Sequence, residues 1–371
     1  MKIIFSSNIA WSIFNFRLKL LKSLQDDGHE IYTVAFPDEY SEKLKEQGFH
    51  FTAINLNNNT TNPFEDLKII YHYYKIYKKI SPDIICHNAI KPNIYGTIAA
   101  GMLNIPVVNN ISGLGTLFIK RKFSTQIAKL LYRFSQRKAS KIFFQNKDDL
   151  NLFLENKLIE KTKAQIIQGS GVDTLRFIPN DAKEERIDFN FLFIGRLLYD
   201  KGIREYFEAA ELLKIKYPKI KFNILGPLYE NNATAITKET LAKWINSETI
   251  IYLGQTDRVE EVVKDVNCVV LPSYREGLSK VLIEASSMGL PIVTTNVPGC
   301  RDVVIDTETG FLCEVRNSKD LADKMEKMFL LPVKERMEMG HNARKRAIEI
   351  FDEKIITGHY KEAIYALTQS L

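Results

Sequence analysis

Short apolar runs of strand length alternate with longer segments whose apolar positions recur every three or four residues. The first run, Lys2 to Phe5, is followed by a helical pattern from about Asn15 to Asp26 that closes at Gly28, then by a second run, Ile31 to Phe36. Similar runs return at Phe49 to Ile54, Asp83 to Cys86, Val107 to Ile111, Lys141 to Phe144 and Gln165 to Ile167. Strands separated by helices pair in parallel through crossovers, so the pattern predicts an α/β doubly wound sheet. From Pro179 to Ile187 the periodicity stops and the residues turn polar and charged, which predicts a linker over 179–188. A second series follows at Phe189 to Ile194, Lys221 to Leu225, Thr249 to Leu253, Cys268 to Leu271 and Pro291 to Thr294. The expected organisation is therefore a first domain, 1–178, a second domain, 189–350, and a C-terminal helix, 351–371, packing back toward the first. Two such domains facing each other are expected to leave a cleft between them.

Composition narrows the classes. At 371 residues, with 45% hydrophobic and 26% charged side chains, the chain has room for two globular domains and is too apolar for a disordered or fibrous protein. No run of 18 apolar residues occurs, and Asn8 and Ser12 interrupt the place where a secretory signal has an unbroken apolar stretch. Cys86, Cys268, Cys300 and Cys313 lack paired or metal-type spacing, as expected of buried thiols in a reducing compartment. A cytoplasmic protein is the expectation.

The charge is unevenly placed. Between Asp83 and Asp148 no acid occurs, while Lys91, Lys120, Arg121, Lys122, Lys129, Arg133, Arg137, Lys138, Lys141 and Lys147 all fall there. Phe118, Phe123, Ile127, Leu130, Leu131 and Phe134 interleave with these bases at roughly helical spacing, giving an apolar and a cationic face. Lys120 to Lys147 is thus expected to lie on anionic lipid, placing the protein peripherally on the inner face of the cytoplasmic membrane. The competing reading is a helix that packs its apolar side on its own domain. Nucleic acid is not expected, since the patch is local and no nucleic-acid-binding signature accompanies it.

Loops directly after parallel strands are where ligands bind. The first such loop of interest is Gly195-Arg196-Leu197-Leu198-Tyr199-Asp200-Lys201-Gly202, ahead of a helical segment from Ile203 to Leu213. Arg196 and Lys201 stand near the positive end of that helix, an arrangement suited to a diphosphate; the alternative is a turn with solvated charges. The loop is no P-loop, and no dinucleotide-binding glycine motif follows the first strand. The second loop, Pro272 to Val281, contains Glu276 and leads into a helix that holds Glu284. Gly277 permits close backbone approach, and the amides of Ser279, Lys280 and Val281 are expected to open that helix toward an anion. Two carboxylates and exposed amides at one helix start can hold a sugar by its hydroxyls and a phosphate by the backbone. The alternative places Glu284 on the solvent side of an ordinary amphipathic helix, against which its apolar flanks argue.

Together these residues resemble the GT-B glycosyltransferases of family 4. The family signature of two glutamates separated by seven residues is matched by Glu276 and Glu284 in Glu-Gly-Leu-Ser-Lys-Val-Leu-Ile-Glu-Ala. Gly195-Arg196 with Lys201-Gly202, Gly169-Ser170-Gly171-Val172-Asp173 with Phe177 and Pro179, and Gly289-Leu290-Pro291-Ile292-Val293 are further matches. The resemblance implies two Rossmann-like domains and retention of anomeric configuration. It also implies site roles: Arg196 and Lys201 on the donor diphosphate, Glu284 on the ribose, and Glu276 with the Gly277, Leu278, Ser279, Lys280 and Val281 backbone on the donor sugar.

Where typical relatives have a glycine-rich loop after the first strand, this chain has Ser6-Ser7-Asn8-Ile9-Ala10-Trp11-Ser12. In this it is similar to a membrane-associated subgroup that uses undecaprenyl-diphosphate-linked sugars, among them N-acetylgalactosaminyltransferases of bacterial protein N-glycosylation. Phe16-Arg17, Pro37-Asp38-Glu39-Tyr40, Lys91-Pro92-Asn93-Ile94-Tyr95-Gly96 and Gly113-Leu114-Gly115 carry that similarity. The implied partners are a nucleotide-sugar donor, UDP-linked, and a polyprenyl-diphosphate-linked sugar acceptor. His87, at a strand's end, is a candidate catalytic residue whose competing reading is a buried, hydrogen-bonded histidine. No Asp-x-Asp occurs, so no metal cofactor is expected, and Arg196, Lys201 and the helix dipole take over leaving-group stabilisation. Two other functions fit the architecture. A non-hydrolysing nucleotide-sugar epimerase has no need of a basic amphipathic surface, and a non-catalytic, membrane-docked nucleotide-sugar-binding protein is expected to show a damaged donor site, whereas all four donor positions stand intact.

Overall fold

The computed structural model describes residues 1–54, 63–114, 123–180, 189–229, 232 and 234–369. They form two compact units, Met1–Ser170 with Glu353–Leu371, and Gly171–Asp352.

In the first unit, strands β1 (Lys2–Ile9), β2 (Glu30–Phe36), β3 (His50–Ala53), β4 (Ile84–Asn88), β5 (Val107–Ile111), β6 (Lys141–Phe144) and β7 (Ala164–Ile166) pair in parallel, in the order β3-β2-β1-β4-β5-β6-β7. Ile3, Ile4 and Phe5 are all fully buried, as continuous apolar strands must be when both sheet faces are covered. The covering helices are α1 (Ala10–Asp26), α2 (Tyr40–Glu46), α3 (Pro63–Ile80), α4 (Thr97–Met102), α5 (Phe123–Gln136) and α6 (Lys147–Glu155), with a π-turn at Pro92–Gly96. Helix α1 begins well before the expected Asn15. Ser12 donates to the Ile9 carbonyl at 2.8 Å and Asn15 to the Trp11 carbonyl at 3.0 Å, so polar residues that read as loop bond inside the first turns.

The second unit repeats the plan with β8 (Asn190–Ile194), α7 (Ile203–Lys216), β9 (Lys221–Leu225), α8 (Lys238–Asn246), β10 (Ile251–Tyr252), α9 (Val259–Val263), β11 (Cys268–Leu271), α10 (Lys280–Ser287), β12 (Ile292–Thr295), β13 (Gly310–Cys313), α11 (Ser318–Leu330) and α12 (Val333–Ile350). The sheet order is β10-β9-β8-β11-β12-β13, again parallel throughout. Strand β13 goes beyond the strands expected from the sequence: Gly-Phe-Leu-Cys is short and becomes a strand by pairing with β12. Helices α6, α8 and α11 open on Asn146, Thr237 and Asn317, each accepting the amide of the residue three positions on. The last helix, α13 (Glu353–Thr368), belongs to the first unit, where Ile356, Tyr360 and Ile364 enter its core.

Both sheets reverse their strand order once, between β1 and β4 in the first unit and between β8 and β11 in the second. At such a reversal adjacent strands send their following loops to opposite faces, opening a crevice at the carboxyl edge. No described helix is long and apolar enough to cross a membrane. The four cysteines are free and buried.

Candidate functional site

In the second unit the loops after β8 and β11 emerge side by side at the strand-order reversal. Gly202 joins them. Its φ of 72° is left-handed, and a Cβ there would lie 2.1 Å from the Pro272 carbonyl oxygen. The Tyr274 amide adds a bond to the Asp200 carbonyl at 2.9 Å. Across this junction the Lys201 ammonium pairs with the Glu276 carboxylate, both largely buried. The Ser273 hydroxyl donates to the same Glu276 Oε1 at 2.6 Å. Gly299 holds the other side of the loop: at φ 79°, a Cβ would come within 2.6 Å of the Glu276 carbonyl, and its own carbonyl accepts the Ser279 amide at 3.0 Å.

That last bond corrects one expectation. The Ser279 amide is taken by Gly299, so α10 presents its first turn from Lys280 and Val281 onward. Lys201 faces Glu276, whereas Arg196 is exposed and rests over the Tyr229 ring at 5.5 Å, so their charges have separate partners in the free protein.

Glu284 does not face solvent. Its side chain is 15% exposed, and its nearest cation is the Lys280 ammonium at 4.0 Å. Among the described residues no hydrogen bond reaches its carboxylate. Burial therefore pushes its pKa up, opposed by Lys280 and then Arg176, while Glu260 adds to the rise. Lys280 in turn donates to the Gly171 carbonyl at 2.6 Å, and Arg176 pairs with Glu260 at 2.8 Å. Ser273, Arg176 and Glu260 were not among the residues singled out from the sequence. Arg176 lies inside the Gly-Val-Asp motif segment, just before Phe177, and that adjacency was its one available signal.

His87 is a correction. It is fully buried in the first unit, with Nε2 2.8 Å from the Tyr77 hydroxyl and Nδ1 3.0 Å from Asn109 Oδ1. Burial lowers its pKa to about 4, against which the Asn109 bond works. A ring with both nitrogens occupied and no solvent face is a core hydrogen-bonding group, and the structure gives it no reacting position.

The acid-free stretch is also divided differently from the single surface expected. Lys120, Arg121 and Lys122 lie outside the described residues. Lys141 is on β6 and Lys147 opens α6, so the amphipathic pattern belongs to α5. On α5, Ile127, Leu130 and Phe134 are 47%, 67% and 58% exposed, forming one ridge at helical spacing. Lys129 bonds Asn156 at 2.7 Å and Arg133 bonds the Lys157 carbonyl at 3.2 Å, so both bases are anchored beside that ridge. Among the described residues no group of three His, Cys, Asp or Glu comes together as a metal site.

Two family descriptions match the chain: "Glycosyl transferase 4-like" over residues 2–146 and "Glycosyl transferases group 1" over residues 176–346. The chain is 29% identical to the N,N'-diacetylbacillosaminyl-diphospho-undecaprenol alpha-1,3-N-acetylgalactosaminyltransferase of Campylobacter jejuni, covering 97% of each protein. It is 28% identical to the UDP-Gal:alpha-D-GlcNAc-diphosphoundecaprenol alpha-1,3-galactosyltransferase of Escherichia coli, over 68% of each. In fold it matches a glycosyltransferase from Rickettsia africae with TM-score 0.80 at 20% identity, over 99% of this chain and 98% of that one. It also matches Anabaena HepE in complex with UDP and glucose, with TM-score 0.81 at 17% identity, over 98% and 99%.

Proposed function

Since the chain belongs to the family 4, group 1 glycosyltransferases of GT-B fold, we propose that it moves an N-acetylhexosamine from a UDP-sugar to a polyprenyl-diphosphate-linked sugar, with retention. The names of the Campylobacter and Escherichia relatives support this acceptor class, and the first of them supports N-acetylgalactosamine as the sugar moved. The observation that carries the reading is the Glu284 carboxylate, largely buried, with only the Lys280 ammonium at 4.0 Å and no hydrogen bond among the described residues, in the same unit as the Lys201–Glu276 pair. A buried carboxylate without donors is costly to ionise and is relieved when ligand hydroxyls supply them. A ribose offers two adjacent hydroxyls of that kind.

In this reading the donor diphosphate competes with Glu276 for the Lys201 ammonium, and Arg196 leaves Tyr229 to join it. Glu276, released from its ion pair yet still bonded by Ser273, is then free to accept from donor-sugar hydroxyls. The Lys280 and Val281 amides, at the positive end of α10, take developing negative charge as the sugar–phosphate bond breaks. The ridge of Ile127, Leu130 and Phe134 with its flanking bases docks on an anionic bilayer, bringing the first unit to the surface where a lipid-linked acceptor resides. Location at the inner face of the cytoplasmic membrane follows from the same reading.

The test is a panel of nucleotide sugars offered with a polyprenyl-diphosphate-linked sugar, with product configuration read by NMR. Transfer with an α-linked product from an α-linked UDP-N-acetylhexosamine is the expected result. Interconversion of the free nucleotide sugar without acceptor would establish an epimerase instead, and binding without turnover of any donor would establish a non-catalytic binding protein.

A further inference from the structure

Arg17 is a buried arginine with only neutral partners among the described residues. It is 5% exposed, on the face of α1 turned to the sheet, and among the described residues no Asp or Glu pairs with it. Its Nε and Nη2 both donate to Asn88 Oδ1, at 3.2 and 3.1 Å, and its Nη1 donates to the Phe16 carbonyl at 3.3 Å. The guanidinium carbon lies 5.0 Å from the centre of the Tyr360 ring. Every partner is neutral. A guanidinium has five N–H donors, so this one keeps bonding capacity as well as uncompensated charge.

The amides around it are incompletely used. Asn88 Oδ1 accepts from Arg17 twice and from Asn110 Nδ2 at 3.2 Å, yet Asn88 Nδ2 is buried and donates to nothing. Asn110 also donates to the Tyr360 hydroxyl at 3.0 Å, while its Oδ1 is buried without a partner. Asn93 donates to the Asn110 carbonyl at 2.8 Å and likewise has an unpartnered Oδ1, as does Asn8 at the end of β1. Buried polar atoms are almost always satisfied, so four such amide atoms in one region need an explanation.

Their position supplies one. Asn88 and Asn110 face each other in register at the carboxyl ends of β4 and β5, beside the β1–β4 reversal where the first unit's crevice opens. The backbone there is strained as well, with Ala89 at φ 76° and the π-turn Pro92–Gly96 immediately after.

We propose that Arg17 and Asn88 form an anion subsite that takes the diphosphate of a glycosyl diphosphate, with the Asn110 and Asn93 oxygens accepting from the attached sugar. A cation and a spare amide N–H suit phosphate oxygens, and a guanidinium meets them in bidentate fashion. Unpartnered amide oxygens beside them suit the hydroxyl or acetamido N–H donors of a sugar. The proposal rests on the acceptor class given above and assigns it to residues; the alternative is that Arg17 merely ties α1 to β4 and α13.

The experiment measures inorganic pyrophosphate binding by calorimetry on the full chain, with UDP at saturation to occupy the second unit. Arg17→Met keeps the stem and removes the charge, and Asn88→Asp supplies a carboxylate that neutralises Arg17 from within. Both variants are expected to weaken pyrophosphate about tenfold or more, leave UDP affinity unchanged and leave Tm equal to or above the parent's. In turnover, KM for a prenyl-diphosphate-linked sugar should rise by a similar factor, while KM for an alkyl glycoside without diphosphate stays as it was.

Unchanged pyrophosphate binding in Asn88→Asp, or a lowered Tm in both variants with acceptor KM unchanged, overturns the subsite and makes Arg17 a structural tie. Pyrophosphate binding that depends on Arg17 in a protein that transfers no sugar keeps the subsite and sinks the transferase reading. Equal affinity for pyrophosphate and for the glycosyl diphosphate would remove the sugar-facing role of Asn110 and Asn93.

Discussion

The Lys201 ammonium and the Glu276 carboxylate, 75 positions apart in sequence, are ion-paired across two neighbouring loops, and Ser273 donates to the same carboxylate oxygen. In the proposed donor site this pair would hold both charges neutralised before the ligand arrives, with a diphosphate and a sugar replacing each side's partner.

Lys201→Ala should lower kcat/KM by roughly 2 to 4 kcal/mol of transition-state stabilisation, the scale of losing one preorganised electrostatic donor. Glu276→Gln should lower it as well, and the two losses should be non-additive by about 0.5 to 3 kcal/mol because the residues touch. Steady-state kinetics on the double-mutant cycle checks this; strict additivity would mean the pair acts as two independent sites.

Glu284 is held above its usual pKa by burial, so the folded chain takes up its proton before the unfolded chain does. Its contribution to folding stability is therefore greatest at low pH and is lost as pH rises from the ordinary carboxylate range through the raised value. With Glu284 in the proposed ribose role, donor affinity should run the other way, falling as acid protonates the group. Glu284→Gln should flatten both dependences, raise or preserve Tm at neutral pH, and weaken UDP-sugar binding there, as read by calorimetry across pH.

His87 should matter for stability rather than chemistry. Its pKa falls from 6.5 to about 4 on burial, so the unfolded chain protonates first, and the stability held above pH 6.5 drains away as pH falls toward 4. The full difference is roughly 3 kcal/mol. Denaturant unfolding of His87→Gln should lack that acid-side loss relative to the parent, and its kcat should be unchanged wherever it is folded. A fall in kcat of two orders of magnitude in a folded variant would restore a catalytic role.

Replacing Leu130 and Phe134 by Ser removes two exposed apolar side chains from α5, each worth up to about 1.5 to 3 kcal/mol on full burial in lipid. Binding to anionic liposomes in a sedimentation assay should drop by more than tenfold, with UDP affinity intact. Undiminished liposome binding would leave the α5 ridge without a membrane role.

Activity should survive excess chelator, because Lys201, Arg196 and the start of α10 are assigned the leaving-group charge. Loss with EDTA, restored by magnesium or manganese, would reassign that chemistry.

The sequence by itself determined the doubly wound plan, since periodicity two against periodicity 3.6 is local and the parallel crossover rule does the rest. It also placed Lys201 and Glu276 on loops after strands and Glu284 in the helix that follows the second loop, because a motif carries its own flanks. Three things were decided only in the tertiary structure. The Lys201–Glu276 pair exists because β8 and β11 are sheet neighbours, and strand order is set by long-range packing that no short window contains. His87 reads identically as a ligand-facing or a core residue until Tyr77 and Asn109 close on its two nitrogens. Arg17 looks like any helical arginine, and its lack of a carboxylate partner among the described residues becomes visible only when α1 folds against β4 and α13 and a charge is left in a low-dielectric interior with neutral amides for company.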